Sequence, residues 1–359
     1  MMGQTTGESM QLEIREEFRG FRGHEVDEAG VFASKGFLVG HQRIVDGRLR
    51  PFGRLPIIPT DSLMAMLPVI SAALRKRVNN AITLASGTLL VATYQAIYRT
   101  ADAGRSWERV HIFREGTHIA VNGMCEDLEG RIYYGEYMDN ADRSMGVRVY
   151  RSDDDGKNFL RVYEIAPGTV RHIHFMQTDP QTGNVWMGTG DNDPECFIVM
   201  SEDQGQRFEL MGKGSQTWRA VQLIFDKDHI YWGTASGRDK GPGATNTICR
   251  MNRDATKVDL LKEVQGPVHS AAITAGGVRI LTTGVEDTSK GYDNHARVWA
   301  SPDGDKWMEI AKFKKSLFPT ALDYGIVRLL PGQEKTRDLW LSMTGLEGGN
   351  RLALARIAR

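Results

Sequence analysis

The stretch Ser152-Asp153-Asp154-Asp155-Gly156-Lys157-Asn158-Phe159 has the form S-x-D-x-G-x-x-F, which is typical of a tight turn between two β-strands. The side chain of Asp154 is placed to accept hydrogen bonds from the turn backbone, as aspartate and asparagine do in such turns. Gly156 supplies a positive φ angle, which a β-carbon would make costly. Phe159 then begins the next strand with a ring for the core. The octet therefore predicts a β-hairpin anchored by one buried aromatic side chain.

The same spacing recurs elsewhere in the chain. Full copies begin at Thr100 and Ser201, and a copy one residue shorter begins at Ser301. Successive full copies start roughly 50 residues apart, and the short copy lies about two such steps further on, which is a period typical of repeated β-units. The repeat therefore predicts a fold built from similar β-sheets arranged in series.

Each repeat is predicted to contain four short strands, with the octet between the third and the fourth. We predict an all-β fold, a seven-bladed β-propeller, or a six-bladed one if the weakly patterned residues 30 to 56 form no first blade. The alternating stretch from Gln11 to Phe18 is predicted to complete the last blade. No shift in composition marks a second domain, so residues 1–359 are predicted to form a single domain.

One segment breaks the β pattern. Asp61 or Ser62 can cap a helix, apolar residues follow, and Arg75-Lys76-Arg77 ends it with charges that suit the helix dipole. We predict a short helical insertion near residues 61–77. The insertion could cover a blade edge, dock a partner or touch a membrane surface.

Composition excludes several functional classes. The 359 residues include 45 basic and 45 acidic side chains, so bulk charge offers nothing to attract nucleic acid. Three cysteines are too few, and odd in number, for a disulfide framework, and buried free thiols are expected. No secretory signal and no apolar run long enough to span a membrane are seen, so a cytoplasmic location is expected.

Ionisable residues concentrate at one predicted face. Because strand direction alternates within a blade, the octet turns lie on one face, and the starts of first strands and the ends of second strands lie on the other. Burying charge is costly unless it is paired, so a purely structural fold has no need for such a concentration. We therefore predict a pocket at that face, near the mouth of the central channel.

His172 and His174 lie two apart on a predicted strand, so their side chains share a face. Together with Asp193, and with Asp191 nearby, they could bind Zn²⁺ or Mn²⁺. They could equally supply a general base, or be structural histidines held by hydrogen bonds. The acidic run 191–195 could hold Ca²⁺ or be a solvated loop. A divalent metal is thus one interpretation among several, and the others require no cofactor.

Two arginines suggest recognition of an acidic group. Arg171 and Arg219 could clamp a carboxylate through paired hydrogen bonds, although ion pairs between blades explain many such arginines. Glu136 follows a glycine at a strand end, a position that suits catalysis or a salt bridge equally. Tyr231-Trp232 lies within a predicted strand and is expected to belong to the core.

The S-x-D-x-G-x-x-F octets resemble the Asp-box (BNR) repeat of sialidase-like β-propellers, and Arg54-Leu55-Pro56 is similar to the R-I-P sequence near the start of sialidases. The resemblance implies three arginines around a substrate carboxylate, and a late tyrosine nucleophile paired with a glutamate. The residues at matching places are Arg54, Arg171 or Arg219, Arg297, Tyr324, and Glu136 or Glu286.

A more specific resemblance runs from about residue 80 to the end of the chain. Five stretches are similar to Asp-box proteins that accompany bacterial and archaeal surface-polysaccharide gene clusters. The resemblance implies saccharide chemistry without naming a reaction. The stretches are Tyr134-Gly135-Glu136-Tyr137, Arg171-His172-Ile173-His174, Gly190-Asp191-Asn192-Asp193, Gly214-Ser215-Gln216 with Arg219, and Tyr231-Trp232-Gly233-Thr234.

The leading hypothesis is an enzyme that cleaves or modifies an acidic, carboxylate-bearing oligo- or polysaccharide, by hydrolysis or β-elimination. The alternative is a non-catalytic propeller that binds glycan or protein in a polysaccharide assembly system. The predicted catalytic residues are His172, His174, Glu136, Asp191 and Tyr324. The predicted substrate-binding residues are Arg171, Arg219, Gln216, Glu286, His295 and Arg54.

Overall fold

The computed structural model describes residues 10–28, 30–43, 50–57, 77–237, 245–254, 257–287, 293–320 and 324–358. Within these ranges the chain is all-β, with 28 strands and only short 3-10 turns. The predicted helical insertion lies outside the described residues, apart from Arg77 at its end. No helix in the described part of the chain has the length and apolar character needed to cross a membrane.

The strands follow one another in sets of four, which we call blades 1 to 7. The first strand, β1 (Gln11–Arg19), belongs to blade 7. Blade 1 contains β2 (Arg22–Asp27), β3 (Gly30–Lys35), β4 (Leu38–Arg43) and β5 (Arg50–Arg54); blade 2 contains β6 (Asn80–Thr83), β7 (Leu89–Ala92), β8 (Ala96–Thr100) and β9 (Glu108–Ile112); blade 3 contains β10 (Thr117–Glu126), β11 (Ile132–Met138), β12 (Val147–Ser152) and β13 (Leu160–Ile165); blade 4 contains β14 (Ile173–Thr178), β15 (Val185–Thr189), β16 (Phe197–Ser201) and β17 (Glu209–Lys213).

The remaining blades complete the series. Blade 5 contains β18 (Leu223–Phe225), β19 (His229–Gly233), β20 (Asn246–Asn252) and β21 (Val258–Val264); blade 6 contains β22 (Val268–Ile273), β23 (Arg279–Val285), β24 (His295–Ser301) and β25 (Met308–Lys314); blade 7 contains β26 (Gly325–Leu329), β27 (Leu339–Thr344) and β28 (Arg351–Ala358), with β1 as its fourth strand. Within every blade each strand pairs antiparallel with the next.

Blade 7 is closed by the two ends of the described chain. Strand β1 pairs antiparallel with β28, from Gln11 opposite Ala358 to Arg19 opposite Arg351. The expected completion of the last blade by the first strand is therefore confirmed. The first blade differs from the expectation, because it begins at Arg22 and not near residue 30. Its first strand was missed because none of the described turns of blade 1 carries the octet pattern.

The four octet turns share one hydrogen-bond pattern. In the turn between β12 and β13, Ser152 Oγ donates to Asp154 Oδ1 over 2.9 Å, and Gly156 N donates to Ser152 Oγ over 3.0 Å. The backbone N of Asn158 donates to Asp154 Oδ1 over 2.9 Å. Equivalent bonds form in the turns that begin at Thr100, Ser201 and Ser301.

The glycine of each turn also packs against a preceding blade. A Cβ added to Gly156 would lie 2.7 Å from a methyl carbon of Leu90 in blade 2, and the φ angle there is +77°. Gly156→Ala is therefore expected to lower the free energy of unfolding by about 2–4 kcal/mol, from overpacking together with the left-handed conformation. Denaturant unfolding followed by circular dichroism measures the loss.

Gly168 provides a matched control, because its φ is +83° but a Cβ would meet nothing within 4 Å. Gly168→Ala is expected to cost only about 1–2 kcal/mol, the cost of the conformation alone. Equal losses in the two variants would show that the octet glycine has no role in packing one blade on the next.

The blades are held together around a common axis. Hydrophobic clusters fill the space between neighbouring blades; between blades 2 and 3, for example, Leu90 and Ile97 share a cluster with Ile132 and Tyr134. In addition, polar side chains on or beside the first strand of one blade form hydrogen bonds with the backbone of the first strand of the next blade. These ties include Glu25 with Thr83 N, Asn80 with Val121 O, Gln177 with Leu223 O, Gln222 with Ala271 N and Ser270 with Leu329 N. The first strands therefore form an inner ring.

The state of the cysteines agrees with the expectation from the sequence. Cys125, Cys196 and Cys249 are buried free thiols, as expected.

Candidate active site

Groups from several blades meet at one end of this ring. His172 directly precedes β14, Asp191 follows β15, and Tyr137 lies near the end of β11. Each position is the start of a first strand or the end of a second strand. Because strands alternate in direction, these positions lie on the face opposite the octet turns. The same placement holds for Arg219, Glu286 and Tyr324 in blades 5, 6 and 7.

Asp191 is the centre of the cluster. Its side chain is buried, and its φ angle is +98°, which is unusual for a residue other than glycine. Arg219 Nη2 donates to Oδ1 over 3.0 Å, and Arg171 Nη1 donates to Oδ2 over 3.2 Å. Burial acts to raise the pKa of Asp191, but His174, His172 and Arg219 outweigh it and hold the pKa well below its usual range. Asp191 is therefore an ionised carboxylate.

Gly190 makes this close approach of side chains geometrically feasible. A Cβ on Gly190 would lie 2.6 Å from His174 Cε1 and 2.8 Å from Arg219 Cγ. Any larger residue would push the imidazole and the guanidinium apart. The glycine before Asp191 is thus required by the packing of the cluster, which the sequence shows only as Gly190-Asp191.

The tautomer of His172 follows from its hydrogen bond. Nδ1 lies 2.8 Å from the carbonyl oxygen of Met138, which can only accept, so Nδ1 carries the proton. Nε2 therefore presents a lone pair, is buried without a hydrogen-bond partner among the described residues, and lies 4.0 Å from Asp191 Oδ1. Burial, reinforced by His174, lowers the pKa of His172 to about 3, so the ring is neutral near pH 7. A lone pair facing a carboxylate is unfavourable unless a cation or a proton donor lies between them.

His174 completes a candidate metal centre. Its Nε2 lies 3.7 Å from Asp191 Oδ1, and the ligand atoms of His172, His174 and Asp191 all lie within 4.8 Å of one another. Two imidazoles and a carboxylate suit Zn²⁺ or Mn²⁺. The bond from His172 Nδ1 to a backbone carbonyl is the second contact that metal-binding histidines usually make. The expected third ligand, Asp193, lies outside the cluster: it is exposed and accepts from Gln216 Nε2 over 2.7 Å.

A line of rings leads away from the cluster. Tyr137 stacks on His172 with ring centroids 3.8 Å apart, and His118 lies 5.1 Å beyond Tyr137. Tyr94, from the loop between β7 and β8, continues the line at 4.5 Å from His118. The sequence analysis did not predict Tyr94 as a site residue. Its position in a loop on the predicted face was the signal that could have identified it.

The groups that shift the pKa of Tyr137 belong to several other blades. Burial raises the pKa of Tyr137 well above its usual range, and the charges of Asp191 and Glu286 raise it further. Tyr324 also raises the pKa of the Tyr137 hydroxyl. Glu286 also lies 3.2 Å from His269, measured from Oε1 to Nε2. Tyr137 therefore remains a protonated phenol, in a space shared by blades 3, 4, 6 and 7.

Gln216 and Glu136 have structural partners. Gln216 Nε2 donates to the backbone oxygen of Asp191 over 3.0 Å, and Gln216 Oε1 accepts from Ser236 Oγ over 2.8 Å. Gln216 thus fixes the loop that carries Asp191. Glu136 is buried, accepts from Arg114 Nη2 over 2.7 Å, and has no described contact with the cluster, because it points to the opposite side of β11 from Tyr137.

Three residues that the sequence analysis predicted for the site lie further from Asp191. His295 begins the third strand of blade 6, and its Nδ1 bonds Asp293 O over 2.6 Å. Arg297 pairs with Glu309 over 2.8 Å. Arg54 is exposed at the end of β5, the outermost strand of blade 1. No described contact brings these three side chains to Asp191.

No known family model matches this sequence, and no curated protein matches it. Solved structures do resemble it. An oligogalacturonate lyase solved with manganese superposes with a TM-score of 0.62 at 8% identity, covering 98% of this chain and 97% of the other. This chain is a β-propeller. At such identity the likeness shows the fold of the propeller alone, and the all-β prediction is confirmed.

Two further structures share the propeller. An oligogalacturonate lyase from Vibrio parahaemolyticus gives a TM-score of 0.60 at 7% identity, over 97% of each chain. A glycoside hydrolase family 74 xyloglucanase from Xanthomonas campestris gives 0.59 at 14% identity, covering 94% of this chain and 52% of its own. This chain thus spans about half the length of that xyloglucanase. The Asp-box resemblance is not tested by these likenesses and stays a prediction.

Proposed function

We propose that this propeller is a carbohydrate-active enzyme that cleaves an acidic, carboxylate-bearing glycan by β-elimination. The observation that carries the proposal is the pair of buried imidazoles, His172 and His174, turned toward the ionised Asp191 with Arg171 and Arg219 beside it. In this proposal the two arginines and the imidazoles, which surround the ionised Asp191, neutralise the uronate carboxylate of the substrate. Propellers of the same fold include oligogalacturonate lyases, which supports this choice.

The carboxyl groups of the candidate active site fit a β-elimination better than they fit a hydrolysis. Most glycoside hydrolases need two carboxyl groups, one of which acts as an acid with a raised pKa. Asp191 is held ionised by its partners, and Glu286 contacts His269. The sialidase route, with Tyr324 as nucleophile, would need a third arginine, and neither Arg54 nor Arg297 reaches the cluster in the described contacts.

The side chains supply the remaining parts of an elimination. Arg171, a third of whose side chain is exposed, is placed to hold the substrate carboxylate. His269, beside Glu286, is the imidazole that accepts the proton from the carbon next to that carboxylate. The electron pair forms a carbon–carbon double bond as the bond to the glycosidic oxygen breaks. Tyr137, kept protonated by its surroundings, donates its proton to the leaving oxygen.

The donor set also fits a divalent cation. His172 Nε2, His174 and an oxygen of Asp191 would hold it, and the unpartnered lone pair of His172 is the structural reason to expect it. When bound, such a cation supplies a Lewis acid that neutralises the substrate carboxylate and acidifies the adjacent C–H bond.

Product analysis tests the proposal. The protein is mixed with polygalacturonate and Mn²⁺, and the ultraviolet absorbance of an unsaturated product is followed together with reducing ends. Elimination gives both signals, whereas reducing ends alone indicate a hydrolase. Binding with neither signal would contradict the enzyme proposal for this glycan and favour a glycan-binding propeller.

Tyr137→Phe tests the proposed proton donor. The ring still stacks on His172, so substrate affinity is expected to stay unchanged. Loss of the hydroxyl is expected to lower kcat by about 10²- to 10⁴-fold, the usual contribution of general acid–base catalysis. Steady-state kinetics separate the two effects, and an unchanged kcat would remove Tyr137 from the mechanism.

A further inference from the structure

The loop that follows β11 places an acidic side chain on the solvent side of Arg171. Asp139 comes directly after β11, and its Oδ1 accepts a hydrogen bond from Arg171 Nη2 over 2.6 Å. The other terminal nitrogen of the same guanidinium, Nη1, donates to Asp191 Oδ2 over 3.2 Å. Exposure rises along this line, from 10% for the side chain of Asp191 to 33% for Arg171 and 80% for Asp139. Arg171 therefore joins a buried carboxylate to one that lies in solvent.

The charges of this line of ion pairs cancel. Asp139, Arg171, Asp191 and Arg219 alternate in sign, with Arg219 Nη2 3.0 Å from Asp191 Oδ1. A further carboxylate on Arg171 would make the group net negative, and like charges in one site oppose each other's ionisation. If Asp139 turns away into water, where its charge is screened, the other three groups carry one net positive charge. That charge matches a single ligand carboxylate.

The backbone on either side of Asp139 is fixed, so its side chain can turn away without moving the loop. The carbonyl oxygen of Met138 accepts from His172 Nδ1 over 2.8 Å. Asn140 is buried, and its side chain bonds the backbone of Met145 at both ends, with Nδ2 2.9 Å from the oxygen and Oδ1 3.1 Å from the nitrogen. Rotation of one exposed side chain is therefore enough to release the guanidinium.

A different ion pair holds this loop to blade 4. Arg143, from the same loop, contacts Glu195 over 2.9 Å, and both side chains are largely buried. Asn192 Nδ2 also donates to Glu195 Oε1 over 2.7 Å, which ties the loop to the turn that carries Asp191. An exposed ion pair adds little to stability. The contact made by Asp139 is therefore not needed to keep the loop in place.

We infer that Asp139 occupies, in the free protein, the place of the substrate carboxylate on Arg171, and that an acidic sugar binds by displacing it. This inference rests on the proposed function and assigns Asp139 as a residue that determines specificity. An acidic sugar replaces one anion by another and keeps the charges balanced. A neutral sugar that displaced Asp139 would leave Arg171 with one anion fewer. Asp139 therefore selects for acidic sugars by excluding neutral ones.

The first test uses acetate, a carboxylate without a sugar, so that it does not depend on the identity of the glycan. Melting temperatures are compared in acetate and in chloride at equal ionic strength and pH 7, with a chelator present to remove cations. Asp139→Asn is expected to gain more stability from acetate than the wild type does, because Arg171 is then open to the added carboxylate. Equal gains in the two proteins, or no gain in either, overturn the inference.

Asp142→Asn is the matched control for net charge. Asp142 lies in the same loop, accepts from Ser144 N and Oγ over 3.1 and 2.9 Å, and has no described contact with Arg171. Acetate should stabilise this variant no more than the wild type, and a gain equal to that of Asp139→Asn would refute the displacement. Should Asp139→Asn not fold, Asp139→Ala, which removes the whole carboxyl group, takes its place in the comparison.

The second test uses oligomers of galacturonate, with oligomers of galactose of the same length as the neutral ligand. The Tyr137→Phe background slows turnover, and calorimetry measures affinity. Asp139→Asn is expected to bind the acidic oligomers about 2- to 5-fold more tightly, the value of an exposed ion pair, and to leave their neutral counterparts unchanged. A change of equal size for both ligands would contradict the inference. An acetate effect without galacturonate binding would preserve the displacement of Asp139 and reject the proposed function for this glycan.

Discussion

Asp191→Asn is expected to lower the free energy of unfolding by about 3–5 kcal/mol, because it leaves the buried guanidinium of Arg219 without its charge partner. Asparagine has nearly the same size and tolerates a positive φ angle, so the loss reports the charge and not the shape. Equilibrium denaturation in the presence of a chelator measures the change without any contribution from a bound cation.

An exposed ion pair serves as the control. Asp305 bonds Arg250 over 2.5 Å with most of its side chain in solvent, so Asp305→Asn is expected to cost about 0–1 kcal/mol. A similar loss of free energy of unfolding in both variants would mean that burial does not determine how much the ion pairs of Asp191 stabilise the fold.

The same variant makes a prediction about pH. The folded pKa of Asp191 lies below its unfolded value, so its contribution is complete above about pH 4 and is lost as pH falls further. The stability difference between wild type and Asp191→Asn should therefore narrow below about pH 4. A difference that stays constant down to pH 2 would contradict the depressed pKa.

The double variant His172→Gln/His174→Gln is expected to lose a tightly bound divalent cation and to lower the rate of elimination at least about 100-fold. It removes two of the three donors that face each other within 4.8 Å. Elemental analysis of protein purified without a histidine tag, after dialysis against Mn²⁺ or Zn²⁺, measures the cation. The ultraviolet assay measures the rate.

His229→Gln is the matched control, because His229 begins β19 on the opposite face and packs near Tyr231. This variant should keep both the cation and the rate. If the double variant also keeps them, the paired imidazoles are structural, and the lone pair of His172 needs another explanation.

The fold could be predicted from the sequence because its decisive interactions are local. In each octet turn the hydroxyl, the aspartate and the glycine complete their hydrogen bonds within seven residues, so spacing alone identifies them. Blade 1 has no such octet, and its start at Arg22 was missed. The closing strand β1 was found because its alternation is also a local pattern.

The site was predicted less completely, because its members meet through the geometry of the ring. The face on which these residues lie followed from strand alternation. The choice of Asp191 over Asp193 did not, since it depends on a backbone φ of +98° in the loop. Glu136 and Tyr137 are neighbours in sequence, and only the register of β11 shows that the tyrosine faces His172.

The pairing of β1 with β28 also dictates when the site can exist during synthesis. A ribosome makes β1 before the other strands of the ring and β28 after them, so the ring stays open until β28 has been made. Until the two strands meet, Tyr324 of blade 7 and Tyr137 of blade 3 are not held around one axis. Nascent chains should therefore carry finished blades and no finished pocket until β28 has been made, and activity should arise in a single step when β1 and β28 pair.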